Sequence, residues 1–102
     1  MNLSEKTVEI CNELSQKGDT IEPMKFDAGG VFSSKITVYV GFIPKKRFSL
    51  FRNPPIFRMF EQNGKPIITS LSREYDKSIE DIAKREDFAY SFENPHGFTA
   101  YF

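Results

Sequence analysis

The chain has 102 residues, and its 14 basic residues balance its 14 acidic residues. This length predicts a single domain, residues 1–102, with one modest core, and a 15% aromatic content favours a folded domain over a disordered tail. One cysteine and one histidine exclude an internal disulfide and a metal site built on paired Cys or His ligands. With no long apolar run to span a membrane and no apolar leader, we expect a cytoplasmic protein.

The first predicted element is an amphipathic helix of about four turns near the N-terminus. Its apolar positions follow the i, i+3, i+4, i+7 spacing and are Thr7, Ile10, Cys11 and Leu14. Ser4 is the expected N-cap, and Gly18 lies where a C-cap glycine is expected.

A short strand and a turn are expected next, because Pro23 and the pair Gly29-Gly30 interrupt a helix. The stretch KITVYVGFI then alternates as a half-buried strand does. Ile36, Val38, Val40 and Phe42 face one side of it, and Lys35, Thr37 and Tyr39 face the other. Pro44 ends this strand, and the following segment up to Pro54-Pro55 is predicted to be an ordered loop.

Residues 56–72 contain the clearest hairpin, since Asn63-Gly64 is the favoured dipeptide of a two-residue type I′ turn. The turn fixes a register in which Gln62 lies opposite Lys65, Phe60 opposite Ile67, Met59 opposite Ile68 and Arg58 opposite Thr69. Apolar residues then fall on both faces of the hairpin, so both faces are expected to be covered. The helices cover one face, and a second subunit is the predicted cover of the other, with the C-terminal hairpin as the alternative.

Ser78 is the expected N-cap of a second helix, with Asp81 at the N3 position, and this helix should end near Glu86. Two aromatic strands, FAYSFE and FTAYF, then form a final hairpin around an Asn-Pro-His-Gly turn. The predicted class is α+β, with an antiparallel sheet of about five strands and two helices packed on one face. The alternative is a winged-helix-like domain that uses the Asn63-Gly64 hairpin as its wing.

The charges are strongly segregated along the chain. Residues 1–24 carry a formal charge of −3, residues 25–73 carry +7 and residues 74–102 carry −4. No Asp or Glu occurs between Ala28 and Phe60. Such a basic block is typical of a surface that neutralises phosphates, although the fold could interleave the three segments.

The candidate nucleic-acid-binding residues come from this basic block. They are Lys45, Lys46, Arg47 and Arg52 in the loop, and Arg58, Gln62, Asn63 and Lys65 on the hairpin. Lys and Arg bind phosphate, and amide side chains at a hairpin tip can read base edges. The competing interpretation is a solvated basic face whose phenylalanines anchor the loop to the core.

The sequence gives little support for catalysis. Cys11 lies on the apolar stripe of the first helix, where a cysteine is usually a core residue, and His96 lies in a turn. No Gly-rich phosphate loop is present, and no cofactor or small-molecule substrate is indicated. The sequence therefore predicts a small non-enzymatic DNA-binding accessory or regulatory protein, with a homodimer and a monomer as the two alternatives for its oligomeric state. The alternative is a protein–protein interaction or inhibitor domain, of the kind that mobile elements encode, acting through an exposed sheet surface.

Overall fold

A computed structural model describes residues 2–29, 35–44 and 55–93 of the chain. Two helices lie within these ranges, α1 (Leu3–Ser15) and α2 (Asp76–Glu86). The strands are β1 (Glu22–Ala28), β2 (Ile36–Phe42), β3 (Pro55–Gln62), β4 (Lys65–Ser70) and β5 (Ala89–Phe92). The strands form one sheet in the order β1-β2-β3-β4-β5. The predicted α+β class with two helices and five strands is confirmed.

The sheet is mixed rather than wholly antiparallel. The ladders that join β1 to β2, β2 to β3 and β3 to β4 are antiparallel, whereas β4 and β5 are parallel. A parallel neighbour requires a crossover, and α2 supplies it between β4 and β5. The second strand of the predicted final hairpin and its turn lie outside the described residues. The winged-helix alternative stays a prediction, because much of the segment that it concerns also lies outside them.

The start of α1 differs from the prediction. Asn2, not Ser4, is the N-cap, and its side-chain oxygen accepts the N–H groups of Ser4 at 3.0 Å and Glu5 at 3.2 Å. Two residues of good capping type lie two positions apart here, and the earlier one caps the helix. The C-cap is Gln16, so Gly18 lies beyond the helix end.

The start of α2 also differs from the prediction, whereas its end at Glu86 is confirmed. The helix begins at Asp76, after Tyr75, and Ser78 lies inside its first turn. There the hydroxyl of Ser78 accepts a hydrogen bond from Nζ of Lys17 at 2.7 Å. The Tyr90 hydroxyl on β5 donates to the Asp76 carboxylate, and partial burial together with this bond raises the pKa of Tyr90.

The β3–β4 hairpin has the predicted register, from Gln62 opposite Lys65 to Arg58 opposite Thr69. Asn63 and Gly64 have φ values of 53° and 78°. Positive φ at both central residues is the requirement of a type I′ turn, which matches the twist of the flanking strands. The local sequence therefore determines both the turn and the pairing.

The core lies between the sheet and the two helices. Helix α1 contributes four buried apolar residues and α2 contributes three. The sheet side of the core includes Phe57, Met59 and Ile68, each at most 1% exposed, with the partly buried Tyr39 packed against them. Because all of these residues belong to one cluster, both helices pack on the same face of the sheet, as predicted.

The acidic residues of the two helices are largely tied into ion pairs. Arg85 on α2 binds the Glu13 carboxylate on α1 through two N–H groups, at 2.8 Å and 3.2 Å. The ammonium of Lys6 lies 3.0 Å from Glu86 and, by hydrogen bonding to it, lowers the pKa of that carboxyl. These pairs link the two helices across the outside of the molecule.

Candidate interaction surface

One face of the sheet carries the helices, and the opposite face is called the outer face below. Directly paired residues in a sheet point to the same side, and successive residues alternate. Since Phe57, Met59 and Ile68 face the helices, the residues between them lie on the outer face. The described members of this face include Met24, Phe26, Ala28, Ile36, Val38, Val40, Arg58, Phe60, Ile67, Thr69, Ala89 and Ser91.

The part of the outer face formed by β1 and β2 is apolar, and three of its side chains are exposed although Val38 and Val40 are buried. Met24 is 50% exposed, Phe26 45% and Ile36 42%. Four large apolar side chains are exposed among the described residues, and the fourth is Val8 on α1. Single exposed apolar residues are ordinary, but a group of three on adjacent strands is typical of an interaction surface.

A groove of about 540 Å³ runs through this apolar part of the outer face. Its lining residues are Phe26, Ala28, Gly29, Ile36, Val38, Arg58 and Phe60. Five of these have apolar side chains, and Arg58 is the charged one. A concave apolar surface with one charged group at its boundary is the usual arrangement of a recognition site.

The part of the outer face formed by β3, β4 and β5 is mixed, because Arg58, Thr69 and Ser91 alternate there with Phe60, Ile67 and Ala89. Arg58 forms an ion pair with Glu93, which lies just after β5, and the two side chains are 38% and 54% exposed. The hydroxyl groups of Thr69 and Ser91, on the neighbouring strands, lie 2.9 Å apart within hydrogen-bonding distance. The polar side chains of the outer face therefore lie on β3, β4 and β5, and Arg58 is the one that borders the groove.

The structure separates the predicted nucleic-acid-binding residues into three groups. Lys45, Lys46, Arg47 and Arg52 lie outside the described residues. Gln62, Asn63 and Lys65 are brought together at the exposed tip of the β3–β4 hairpin. Arg58 lies four residues back along β3, where its guanidinium is engaged by Glu93.

The described bases of the middle segment, apart from Arg58, lie on several different elements. Lys25 lies on β1, Lys35 precedes β2, Lys65 is at the hairpin tip and Arg73 precedes α2. Glu61 also lies near the hairpin tip, so the described part of the tip carries charges of both signs. Within residues 2–29, 35–44 and 55–93 the bases of the middle segment therefore belong to several different elements.

Sequence reasoning missed Met24 and Phe26 as surface residues. The signal was present, because EPMKFDA alternates Met24, Phe26 and Ala28 with polar residues. A stretch of seven residues with Pro at the second position predicts a short strand, but it does not predict where in the sheet that strand lies. Their position at the sheet edge depends on the pairing of β1 with β2 alone.

The described residues provide no cluster of metal ligands. Among them, no group of three or more His, Cys, Asp or Glu side chains is placed to hold a metal ion. Neither of the described helices is long and apolar enough to cross a membrane. Cys11 is 1% exposed in the core, as predicted, and burial raises the pKa of its thiol to about 12.

We expect Cys11 to resist alkylation in the native protein at neutral pH, because the thiol is both protonated and inaccessible. Labelling should require opening of the core and should be about a thousandfold or more slower than in denaturant. Mass spectrometry after timed exposure to iodoacetamide, with the guanidinium-unfolded chain as the control, measures this ratio. Equal rates in the two conditions would contradict the burial of Cys11.

In comparisons with known proteins, no family model, curated protein or solved structure matches the chain. The surface of the molecule is therefore the basis for inferring its function.

Proposed function

We propose that this chain is a non-enzymatic protein-binding module that docks through the apolar part of the outer face. The observation that carries the proposal is the groove beside Phe26, Ile36 and Phe60, with two of these side chains more than 40% exposed. Leaving such side chains in water is unfavourable, and a partner that covers them regains that free energy.

The groove also indicates the chemistry of the partner. Its apolar lining suits an aliphatic or aromatic anchor side chain, whose full burial contributes roughly 1.5–3 kcal/mol. Arg58 at its boundary is 38% exposed, and a guanidinium has five N–H donors, more than one carboxylate can use. The expected partner is therefore a protein segment that presents an apolar anchor close to a carboxylate.

A matched pair of substitutions tests this proposal with a displayed library of random peptides. The wild type should enrich peptides that share an apolar residue near Asp or Glu. Ile36→Glu places a negative charge in the groove and should weaken binding of the enriched peptides about tenfold or more. Val8→Glu is the control, since Val8 has a similar exposure of 44% but lies on α1.

Circular dichroism and thermal melts should show that both variants are folded. The proposal is wrong if the wild type enriches no common peptide pattern, or if Ile36→Glu binds the enriched peptides as tightly as Val8→Glu does. Isothermal titration with a synthetic copy of the best peptide gives the affinities that decide between these outcomes.

DNA binding is the second candidate, and the observation that favours it is the fully exposed hairpin tip with Gln62, Asn63 and Lys65. Because Glu93 already pairs with Arg58, we expect the tip and the predicted basic loop, rather than Arg58, to carry any such activity. A mobility-shift assay on duplex DNA should show binding that weakens steeply with salt. Replacing Lys45, Lys46 and Arg47 with alanine should flatten that slope by about one unit per lost contact. An unshifted duplex at low salt would remove this candidate.

A further inference from the structure

Strand β1 is an edge of the described sheet, and nearly all of its residues are exposed. Strand β1 pairs with β2 on one side and is the terminal strand of the described sheet. All of its residues from 22 to 27 are exposed. An edge strand presents a row of backbone N–H and C=O groups that another strand can pair with.

The side chains of β1 are self-complementary about one residue. Lys25 and Asp27 flank Phe26 on either side, and both point to the helix-bearing side of the sheet, opposite Tyr39 and Thr37 respectively. If two copies of β1 pair antiparallel with Phe26 opposite Phe26, then Lys25 of each copy lies opposite Asp27 of the other. This register creates two Lys25–Asp27 pairs of opposite charge and one Phe26–Phe26 pair, and both kinds of cross-strand pair are stabilising.

Other registers lack this complementarity. A symmetric antiparallel pair keeps each face continuous, so its centre must fall on a residue of the strand. Centring the pair on Lys25 or on Asp27 brings like charges together, and centring it on Met24 places Phe26 opposite Glu22. The centre at Phe26 is therefore the register that the charges of β1 favour.

The environment of Asp27 fits this role. The Thr37 hydroxyl on β2 donates a hydrogen bond to Oδ1 of Asp27 at 3.0 Å, which orients the carboxylate and leaves Oδ2 for a second partner. Lys25 and Asp27 are both exposed although they point to the side that carries α1, so the helix does not cover them.

We propose that two copies of this chain associate edge to edge through β1, in the antiparallel register centred on Phe26. The two sheets then form one continuous sheet with all four described helices on one side. Met24 and Phe26 of both copies meet on the outer face, so the two apolar regions join across the symmetry axis. The partner is thus a second copy of this chain, and the inference does not depend on the proposed protein-binding function.

Sedimentation velocity tests the pairing over about 10 µM to 1 mM, the range suited to a small interface. The wild type should show a monomer–dimer equilibrium within it. Lys25→Asp and Asp27→Lys each place two like-charge pairs across the axis, so each should weaken dimerisation about tenfold or more. The doubly exchanged variant, Lys25→Asp with Asp27→Lys, restores opposite charges and should dimerise again.

Mixing the two single variants gives the sharpest result. In an equimolar mixture, each position of one variant faces an opposite charge on the other, so a heterodimer should form although neither variant dimerises alone. Native mass spectrometry distinguishes the heterodimer by mass. The control pair is Glu61→Lys and Lys65→Asp at the hairpin tip, which changes charge by the same amounts away from β1 and should leave the dimer constant of each unmixed variant unchanged.

A wild type that remains monomeric at about 1 mM would overturn the inference. So would dimerisation of the single variants at the wild-type strength, or a mixture without heterodimer. Peptide binding by Ile36→Glu is measured separately, because Lys25 and Asp27 do not line the groove. Failure of the edge pairing is therefore distinguishable from failure of the protein-binding proposal.

Discussion

Replacing Gly41 with alanine is expected to lower the free energy of unfolding by about 3 kcal/mol, at the upper end of the range for overpacking a core. Gly41 on β2 is paired directly with Phe57 on β3. A Cβ added at Gly41 would overlap Cε1 of the Phe57 ring and would lie 2.8 Å from both Cδ1 and Cζ. The ring is fully buried, so it has little room to move away.

Urea denaturation followed by circular dichroism measures this loss. Gly18→Ala is the matched control, because the closest atom to its added Cβ is the Tyr75 hydroxyl oxygen at 3.3 Å, a tight contact that only a small shift is needed to relieve. A smaller side chain at position 57 should relieve the clash. We therefore expect Gly41→Ala with Phe57→Leu to lose less stability than the sum of the two single losses. Simple additivity would show that the ring and the glycine do not interact.

Replacing Tyr75 with alanine should have the second large effect, a loss of about 3–5 kcal/mol. Tyr75 immediately precedes α2 and is 2% exposed. Its ring belongs to the core cluster, and its hydroxyl oxygen accepts the backbone N–H of Asp19 at 3.3 Å, 56 residues away in the chain. One side chain therefore joins the start of α2 to the turn that follows α1.

Tyr75→Phe separates the packing of the ring from the hydrogen bond. It keeps the ring and removes the acceptor, so we expect a loss of about 0.5–1.5 kcal/mol. Chemical denaturation of both variants gives the comparison. If the phenylalanine variant is as unstable as the alanine variant, the hydrogen bond rather than the packing carries the contribution. If the alanine variant is as stable as the wild type, Tyr75 is not part of the core.

Features that depend on neighbouring residues were predictable from the sequence. The spacing of apolar residues located both helices, although both N-caps lie earlier in the chain than predicted. Asn63-Gly64 determined the register of the central hairpin, because both central residues of its turn must have positive φ. The alternation of β2 predicted which side chains share a face.

Features that depend on distant residues were not predictable in this way. The sequence predicted that Arg58 is a nucleic-acid-binding residue, but the fold brings Glu93, 35 residues away in the chain, to its guanidinium. The parallel pairing of β5 with β4 depends on how α2 packs back on the sheet. The predicted basic loop lies outside the described residues, so its part in DNA binding stays a prediction.

The sequence by itself determined the α+β class, the turn of the β3–β4 hairpin with its register, and the burial of Cys11 among apolar neighbours. Each follows from local periodicity or from the allowed backbone angles of one or two residues. Only the tertiary structure decided that β1 forms the sheet edge and that Met24, Phe26 and Ile36 are exposed together. An apolar side chain on a strand gives the same local sequence pattern whether or not another layer covers it. Whether it is covered depends on which face of the sheet the helices occupy.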